Sequence, residues 1–200
     1  MTAVDARLSL PAESPAQRDR RRRVIDAAFE LGAERGYEAV QMRDVSASAN
    51  VSLATIYRYF SSKDHLLAAA MTEWTAKLQD RLAQSPPRGG TPADQIVDML
   101  GRACRAMSRQ PKLPAALVRA LASADPGVQE CAEAVSAQIG AMAEPVLIDL
   151  DPRVRGDIVA VLGHVWYSTL VSWSSGRIAF DDVMAELERA VRVLVEPYER

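Results

Sequence analysis

A hydroxyl, a guanidinium and a phenol lie close together at Thr55, Arg58 and Tyr59. Groups of these kinds hydrogen-bond to the edges of bases and to phosphate oxygens. In a helix, the spacing of the sequence places Leu53, Ile56, Tyr57 and Phe60 on one apolar face. The three polar groups would then point away from that face. A short helix with such an exposed face suits the groove of a DNA duplex better than a protein core. The spacing therefore predicts a recognition helix.

A turn and a second short helix precede this segment. Asn50 tolerates turn geometry, and Ser52 is a good N-cap for a helix that runs to Phe60. The inward face of the earlier helix is formed by Met42, Val45, Ser46 and Ala49. The pair predicts a DNA-binding helix-turn-helix in which residues 52–60 read the DNA. Other all-helical proteins also contain short amphipathic pairs, so the flanking residues matter to the prediction.

The charge distribution favours DNA contact near the N-terminus. The whole chain has a formal net charge of −2 and a pI near 5.8, which would not suggest a nucleic-acid-binding protein. Residues 15–63, however, contain nine Lys or Arg against six Asp or Glu, whereas residues 85–200 contain twelve against fifteen. Arg20, Arg21 and Arg22 belong to a basic run that leads into the first helix, and we expect them to contact the DNA backbone or minor groove. Such a run is also typical of a solvated segment.

Periodicity and turn residues divide the chain into three parts. Residues 1–16 lack periodicity and are expected to form a flexible arm. Residues 17–63 are predicted to form the helix-turn-helix domain, and residues 64–200 a ligand-binding and dimerisation domain. A Pro- and Gly-rich linker at residues 85–92 interrupts the helical pattern. With five more helices after the linker, the sequence predicts an all-α fold of about nine helices.

The fourth helix is expected to connect these parts. Ser61 and Asp64 form a capping-box-like start, and the apolar period then continues to the linker. Because this helix begins beside the recognition helix, it can transmit movement between the DNA-binding unit and the rest of the chain.

The two terminal helices are candidates for a dimer interface. Residues 158–173 are apolar on nearly all sides, which predicts burial on several sides. The last helix has a lengthwise seam formed by Met184, Leu187, Val191 and Leu194. A two-fold DNA-binding protein needs a symmetric contact, so we expect homodimerisation through these helices. The alternative is the core of an intrachain bundle.

The second domain offers a set of flexible or aromatic apolar side chains for a ligand pocket: Met71, Trp74, Met99, Met107, Met142 and Trp166. Thioethers and indoles suit a cavity for a bulky apolar ligand, although a Met stripe at helical spacing is more often core. Arg102, Arg105 and Arg119 could meet an anionic group of such a ligand, or could be plain surface charges.

Catalytic and metal-binding patterns are absent from the sequence. His65 and His164 have no nucleophile or metal-ligand spacing near them, and His164 is expected to be a core histidine. Cys104 and Cys131 are expected to be buried free thiols in a reducing cytoplasm, since they match no metal spacing. No signal-peptide pattern or apolar run of roughly 18 residues is present, so no membrane contact and a cytoplasmic location are expected. No cofactor or enzymatic activity is predicted.

One long segment resembles a known family. The segment GYEAVQMRDVSASANVSLATIYRYFSSKDHLL is similar to the N-terminal signature of TetR-family transcriptional regulators. The resemblance implies that Arg43, Thr55 and Arg58 read bases and that Tyr57, Tyr59 and Lys63 hold phosphates. Gln41 departs from the family pattern, because Thr or Ser usually begins the second helix there. A lost cap costs about 1 kcal/mol, which leaves the fold intact.

A narrower resemblance spans both domains. The basic arm together with GYEAVQMR, YRYFSSK, RAMSRQPKL, VWYSTLVSW and AVRVLV is similar to the actinobacterial repressors of cholesterol and steroid catabolism. In that subgroup the effector is a steroid that carries a coenzyme A thioester, so the resemblance implies an effector of this class.

These observations predict a homodimeric, ligand-responsive repressor of a palindromic operator. Its two recognition helices would enter successive major grooves about 34 Å apart. A ligand beneath the fourth helix would tilt that helix and weaken the fit to double-stranded DNA. The alternatives are an effector-independent DNA-binding or architectural protein and, more distantly, a small all-helical acyl-CoA-binding enzyme.

Overall fold

The computed structural model describes residues 14–109 and 112–199 of the chain. Most of the predicted arm, residues 1–13, therefore lies outside the described residues. The helices within them are α1 (Pro15–Arg35), α2 (Met42–Ala49), α3 (Leu53–Tyr59), α4 (Lys63–Gln84), α5 (Pro92–Ser108), α6 (Lys112–Leu121), α7 (Pro126–Ala143), α8 (Pro152–Ser174) and α9 (Phe180–Val195). Short 3₁₀ turns lie at Tyr37–Ala39 and Glu196–Tyr198. The prediction of an all-α fold with about nine helices is confirmed.

The basic run is part of α1. The Ser14 hydroxyl accepts a hydrogen bond from the Gln17 backbone N–H at 3.3 Å, and the Gln17 side chain accepts one from the Ser14 backbone N–H at 2.7 Å. This reciprocal cap starts the helix at Pro15, which needs no N–H partner at that position. The helix ends at Gly36, where φ of +86° favours glycine.

The helix-turn-helix forms where the spacing predicted it. Asn50 ends α2 with φ of +50°, and the Ser52 hydroxyl caps α3 by accepting a hydrogen bond from the Thr55 backbone N–H at 3.2 Å. Gln41 precedes α2 without a side-chain cap, in agreement with the departure seen in the sequence. The fully buried side chains that unite these helices with α1 and α4 include Val24, Val45, Ile56, Phe60 and Leu66.

The cap of α4 differs from the predicted one. The Ser62 hydroxyl, not that of Ser61, accepts the hydrogen bond from the His65 backbone N–H at 3.1 Å. Asp64 does not complete a capping box, because its carboxylate accepts a hydrogen bond from the Tyr37 phenol at 2.6 Å. The predicted helix is present, but it begins at Lys63, and its first turn is tied to the turn after α1.

The linker between α4 and α5 is held by one arginine. The Arg102 guanidinium donates to the backbone carbonyls of Ser85 and Pro86 and lies 2.6 Å from the Asp98 carboxylate. Arg102 is therefore a structural residue of the linker, and the suggestion that it meets an anionic ligand is wrong. Beyond α5, helix α6 spans Lys112–Leu121.

Helices α8 and α9 pack along each other and leave one side uncovered. Leu187 and Val191 of the predicted seam are fully buried within the chain, so this seam is intrachain core. Helix α8, predicted to be buried on several sides, keeps one side exposed, where Val161 is 43% and Tyr167 38% exposed. Val193 of α9 is 72% exposed. The exposed apolar side chains of this helix pair are thus not the ones that the periodicity selected.

Within the described residues, no helix is both long enough and apolar enough to cross a membrane.

Candidate nucleic-acid interface and effector cavity

Helix α3 presents one polar face and buries the other. Ile56 and Phe60 have no exposed surface, whereas Arg58 is exposed and Tyr57 is 51% exposed. The face analysis had placed Tyr57 with the apolar residues. Its ring is exposed instead, because α3 is short and its buried side is filled by Ile56 and Phe60. The outward orientation is the one that the family resemblance implies.

The hydroxyl of Thr55 is positioned by the cap of its own helix. Its Oγ1 lies 2.8 Å from the Oγ of Ser52, so the two hydroxyls form one hydrogen-bonding group at the N-terminus of α3. Tyr59, predicted to point outward, is only partly exposed and packs on the core beside Phe60, with 6.2 Å between ring centres. Arg43 is exposed on α2.

The arginines of α1 contact side chains of neighbouring helices and also add positive charge to the helix-turn-helix. Arg21 lies 3.5 Å from the Glu73 carboxylate of α4, and its guanidinium stands 5.4 Å from the centre of the Phe60 ring. Burial raises the pKa of Glu73, while the charge of Arg21 opposes that rise. Arg22 is more exposed and lies 3.8 Å from Asp26 one turn along α1. Arg20 is partly exposed on the same helix. These side chains therefore project from a helix rather than from an extended arm.

Lys63 is held by the turn that follows α1. Its ammonium donates a hydrogen bond to the Tyr37 carbonyl at 3.3 Å and stands 3.8 Å from the centre of the Tyr37 ring. The phenol of Tyr37 donates to Asp64, and burial together with this hydrogen bond raises the pKa of Tyr37 to about 12. The geometry fixes Lys63 at the start of α4, beside the end of α3.

Helices α6 and α7 contact this same junction. The Arg119 guanidinium of α6 lies 2.6 Å from the Glu38 carboxylate and 4.3 Å from the centre of the Tyr37 ring. Arg119 thus binds the DNA-binding unit, and the suggestion that it meets a ligand is wrong.

At the N-terminus of α7, the Asp125 carboxylate accepts hydrogen bonds from the hydroxyls of Ser61 and Ser62 at 2.7 and 2.6 Å. These two hydrogen bonds hold the pKa of Asp125 below its usual value. Sequence reasoning missed Tyr37 and Asp125, because their partners are distant in the chain and neither belongs to the helical periodicity.

The six predicted pocket residues line one cavity. It has a volume of about 90 Å³ and lies between α4, α5, α7 and α8, with Met71, Trp74, Met99, Met107, Met142 and Trp166 all in its wall. The remaining lining is almost entirely apolar and includes Leu78, Leu82, Leu147 and Leu162. We call this space the inner cavity.

A wider cleft adjoins the inner cavity. Its volume is about 440 Å³, and α6, α7 and α8 supply most of its lining. Met71, Met107 and Trp166 line both spaces, which places them at the boundary. The exposed rim of the cleft carries Ser136 on α7 and His164 and Tyr167 on α8. His164, expected in a core, is exposed at this rim.

The chemistry of the remaining candidates is limited. Burial raises the pKa of Cys104 to about 11 and raises that of Cys131, so both thiols are protonated at neutral pH. Both are free cysteines in the structure. In the part of the chain that the structure describes, no group of three His, Cys, Asp or Glu side chains is arranged to hold a metal ion.

Comparison with known proteins agrees with this architecture. Residues 24–70 match the model of the bacterial regulatory proteins of the tetR family, and residues 89–194 match the tetracyclin repressor-like C-terminal domain. The chain is 37% identical over 183 residues to the HTH-type transcriptional repressor KstR of Mycolicibacterium smegmatis, covering 91% of this chain and 90% of the relative. KstR of Mycobacterium tuberculosis is also 37% identical, with 91% of this chain and 83% of the relative covered.

Two solved structures share the fold. A TetR transcriptional regulator from Rhodococcus sp. RHA1 superposes with a TM-score of 0.81 at 28% identity, over 90% of this chain and 97% of the other. Thermus thermophilus FadR, a TetR-family repressor solved with lauroyl-CoA, gives a TM-score of 0.73 at 20% identity, over 89% and 94% of the two chains. The helix-turn-helix, the helical second domain and the relatives that match both halves agree: the chain belongs to the TetR family of DNA-binding transcriptional regulators.

Proposed function

We propose that the protein is a homodimeric repressor that releases a palindromic operator when a bulky apolar effector enters its cavity. The observation that carries the proposal is the course of α4. This one helix begins at Lys63, beside the recognition helix, and lines the inner cavity with Met71, Trp74 and Leu78. A ligand that displaces these side chains displaces a rigid element whose first turn belongs to the DNA-binding unit. The DNA-binding domain is residues 17–63 and the effector and dimerisation domain is residues 64–200.

The proposed DNA contacts follow from exposure. Arg43, Thr55 and Arg58 read base edges, while Tyr57 and Lys63 hold phosphates on either side of α3. Ser52 contributes through its hydroxyl pair with Thr55. Tyr59 contributes its phenol at the edge of the core, and Arg20, Arg21 and Arg22 add positive charge from the first turns of α1.

The proposed dimer contact is the uncovered side of α8 and α9. Val161 and Tyr167 of α8 and Val193 of α9 are exposed large apolar side chains on neighbouring helices. A palindromic operator requires a protein with two-fold symmetry, and a contact between two copies of this surface would supply that symmetry.

A bulky apolar effector fits the observed space. The wide cleft alone, at about 440 Å³, falls in the range of roughly 300 to 1,000 Å³ that is typical of ligand pockets. The apolar wall favours a steroid or a long acyl group, and a steroid acyl-CoA thioester is the class that the sequence resemblance implies. The same fold accommodates lauroyl-CoA in T. thermophilus FadR.

Operator binding tests the DNA half of the proposal. A fluorescent palindrome from the region upstream of the protein's own gene is titrated with the full-length protein at several salt concentrations. We expect Arg58→Ala to cost about 1–3 kcal/mol on the operator and less on unrelated DNA. Lys63→Ala should weaken both alike and reduce the salt slope by about 1. Arg81→Ala is the matched control, because it removes an exposed arginine at the far end of α4. It should change neither the affinity for the operator nor the salt slope.

Effector release tests the other half. Steroid acyl-CoA thioesters and fatty acyl-CoA thioesters are added to the protein–operator complex, and the released fraction is measured by anisotropy. Reciprocal linkage requires that the operator weaken ligand binding by the same factor as the ligand weakens operator binding. If the protein binds the operator tightly and no ligand of either class changes that binding, the protein binds DNA but is not regulated by an effector of these classes.

A further inference from the structure

The turn between α2 and α3 is tied to Ser46 by two hydrogen bonds. The Ser46 carbonyl accepts one from the Val51 backbone N–H at 3.2 Å, and the Ser46 hydroxyl donates one to the Val51 carbonyl at 2.7 Å. Asn50, in the left-handed conformation, reverses the chain so that Val51 reaches Ser46. Val51 is itself buried. Both polar groups of the Val51 backbone are therefore bonded to one residue of α2.

The hydroxyl bond fixes the start of the recognition helix. The Val51 carbonyl belongs to the planar peptide unit that joins Val51 to Ser52. Ser52 caps α3, and its hydroxyl pairs with that of Thr55, a proposed base-reading residue. A hydrogen bond to the carbonyl thus restricts the orientation of the N-cap that follows it. A serine hydroxyl within a helix can instead bond to the carbonyl four residues earlier, but that of Ser46 reaches forward to the turn.

A side chain of α1 holds the end of α2. The Arg23 guanidinium donates a hydrogen bond to the Ala49 carbonyl at 3.1 Å and lies 3.4 Å from the Asp19 carboxylate, one turn earlier in α1. Carbonyls in the last turn of a helix lack partners within the helix and carry partial negative charge, so a guanidinium is a favourable partner for them. Arg23 therefore links the helix that precedes the turn to α1.

Small errors in the angle of α3 affect base reading more than phosphate binding. Seven residues make α3 about 10 Å long at a rise of about 1.5 Å per residue. A tilt of about 10° at its N-terminus would move its far end by about 2 Å, which is more than a hydrogen bond to a base edge tolerates. Attraction between a cationic side chain and a phosphate falls more slowly with distance. The geometry of the turn therefore matters more to sequence preference than to general affinity for DNA.

We propose that Ser46 and Arg23 are positioning residues for the reading of DNA sequence. They act without contacting bases, because together they fix the angle at which α3 presents Thr55 and Arg58. This inference rests on the proposed base contacts of α3. It depends neither on the effector nor on the symmetry of the operator.

Binding to two DNA duplexes tests Ser46. One duplex is selected from a random-sequence pool by the full-length protein, the other is a scrambled sequence of equal length and composition, and the ratio of the two affinities measures selectivity. Ser46→Ala should lower this ratio about three- to tenfold, by weakening the selected duplex alone, because one hydrogen bond is lost. Ser46→Thr keeps the hydroxyl and should lose less. Ser48→Ala is the matched control, since Ser48 is an exposed serine of the same helix, and its ratio should not change.

Salt dependence tests Arg23. Arg23→Met removes the donor and keeps an unbranched apolar stem. The selectivity ratio should fall about three- to tenfold, while the salt slope on the scrambled duplex stays the same. A slope smaller by about 1, with an equal loss of affinity on both duplexes, would make Arg23 a phosphate contact and overturn its assignment as a positioning residue.

Thermal unfolding of each variant separates positioning from loss of structure, because a partly unfolded protein binds both duplexes less well. Equal weakening on both duplexes, or an unchanged ratio for Ser46→Ala, would overturn the proposal for Ser46.

Arg58→Ala is measured alongside these variants. If it lowers selectivity while Ser46→Ala and Arg23→Met do not, this inference fails and the proposed base contacts stand. If the pool yields no preferred sequence, or if Arg58→Ala leaves selectivity unchanged, the proposed base reading fails and this inference fails with it. A selective protein that no effector releases from DNA would contradict only the proposed regulation.

Discussion

The ammonium of Lys63 stands 3.8 Å from the centre of the Tyr37 ring. The Arg119 guanidinium of α6 stands 4.3 Å from the centre of the same ring. One aromatic side chain therefore contacts both the first residue of α4 and the helix that lines the wide cleft through Leu117 and Leu121. A ligand that moved α6 would therefore act directly on a proposed phosphate contact, in addition to the proposed route along α4.

Replacement of Tyr37 by leucine should weaken operator binding. The change removes a cation–π contact worth about 0.5–2 kcal/mol and the hydrogen bond to Asp64, so Lys63 loses its fixed position. We expect a several-fold loss of affinity on all DNA sequences, measured by anisotropy. Tyr37→Phe keeps the ring and separates the two effects; if it loses as much affinity as Tyr37→Leu, the ring contact is not what positions Lys63.

High pH should destabilise the protein through Tyr37. Its pKa is raised to about 12 from the ordinary value of about 10, so between these values the folded state holds a proton that the unfolded state has released. The contribution of protonated Tyr37 to the free energy of unfolding is therefore complete below pH 10 and is lost as the pH rises toward 12. Urea denaturation measures the free energy of unfolding at pH 9 and pH 11. This free energy should decline less between the two pH values for Tyr37→Phe than for the unaltered protein. Identical declines in the free energy of unfolding of the two proteins would contradict the assignment of this pH dependence to Tyr37.

The link between Asp125 and the start of α4 should be needed for effector response. Its carboxylate accepts two serine hydroxyls, so Asp125→Ala should release α7 from the first turn of α4. We expect the effector-dependent change in operator affinity to fall about three- to tenfold, measured as a ratio of affinities with and without ligand.

Asp125→Ala also affects the cap of α7, to which Asp125 contributes through the Gly127 backbone N–H. The variant Ser61→Ala removes one of the two serine hydrogen bonds to Asp125 and leaves the caps of both α4 and α7 in place. An unchanged ratio in both variants would mean that coupling runs along α4 alone.

The glycines of the second domain should differ sharply in their tolerance of alanine. A Cβ at Gly163 meets open space, so Gly163→Ala should stabilise α8 by about 0.5–1 kcal/mol through helix propensity. A Cβ at Gly127 would lie 2.5 Å from the His65 ring, so Gly127→Ala must displace that ring and should destabilise the protein. Thermal unfolding of the two variants checks the order. A lower Tm for Gly163→Ala than for Gly127→Ala would contradict the packing described.

A charge on the exposed side of α8 should dissociate the dimer. Val161→Glu places a carboxylate on the surface of the proposed two-fold contact, where burial against a second copy would remove its hydration. Sedimentation velocity should show monomers and the operator affinity should fall at least tenfold. Ile148→Glu is the matched control, because Ile148 is 59% exposed outside the α8 and α9 surface, and its dimer should persist. A dimeric Val161→Glu variant would move the contact elsewhere.

Local sequence determined the helices and most of their ends. Helical spacing, Gly36 after α1 and Ser52 before α3 are cues between neighbours in the chain, so they were readable without a structure. The helix-turn-helix could be predicted because it depends on periodicity along each of its helices, and the six residues of the inner cavity could be predicted from their flexible or aromatic apolar side chains. Tyr57 and Tyr59 could not be assigned correctly, since a helix of two turns has no periodicity strong enough to fix both edges of its buried face.

The tertiary structure alone decided which charged and polar groups meet. The sequence offered Arg102 and Arg119 as ligand contacts, but the fold uses one to hold a linker and the other to hold Tyr37. It also brought Asp125 to Ser62 across 63 positions and exposed His164 at the rim of a cleft. Long-range partners of this kind depend on how the helices pack against one another, and that arrangement is not encoded in the spacing within any one helix.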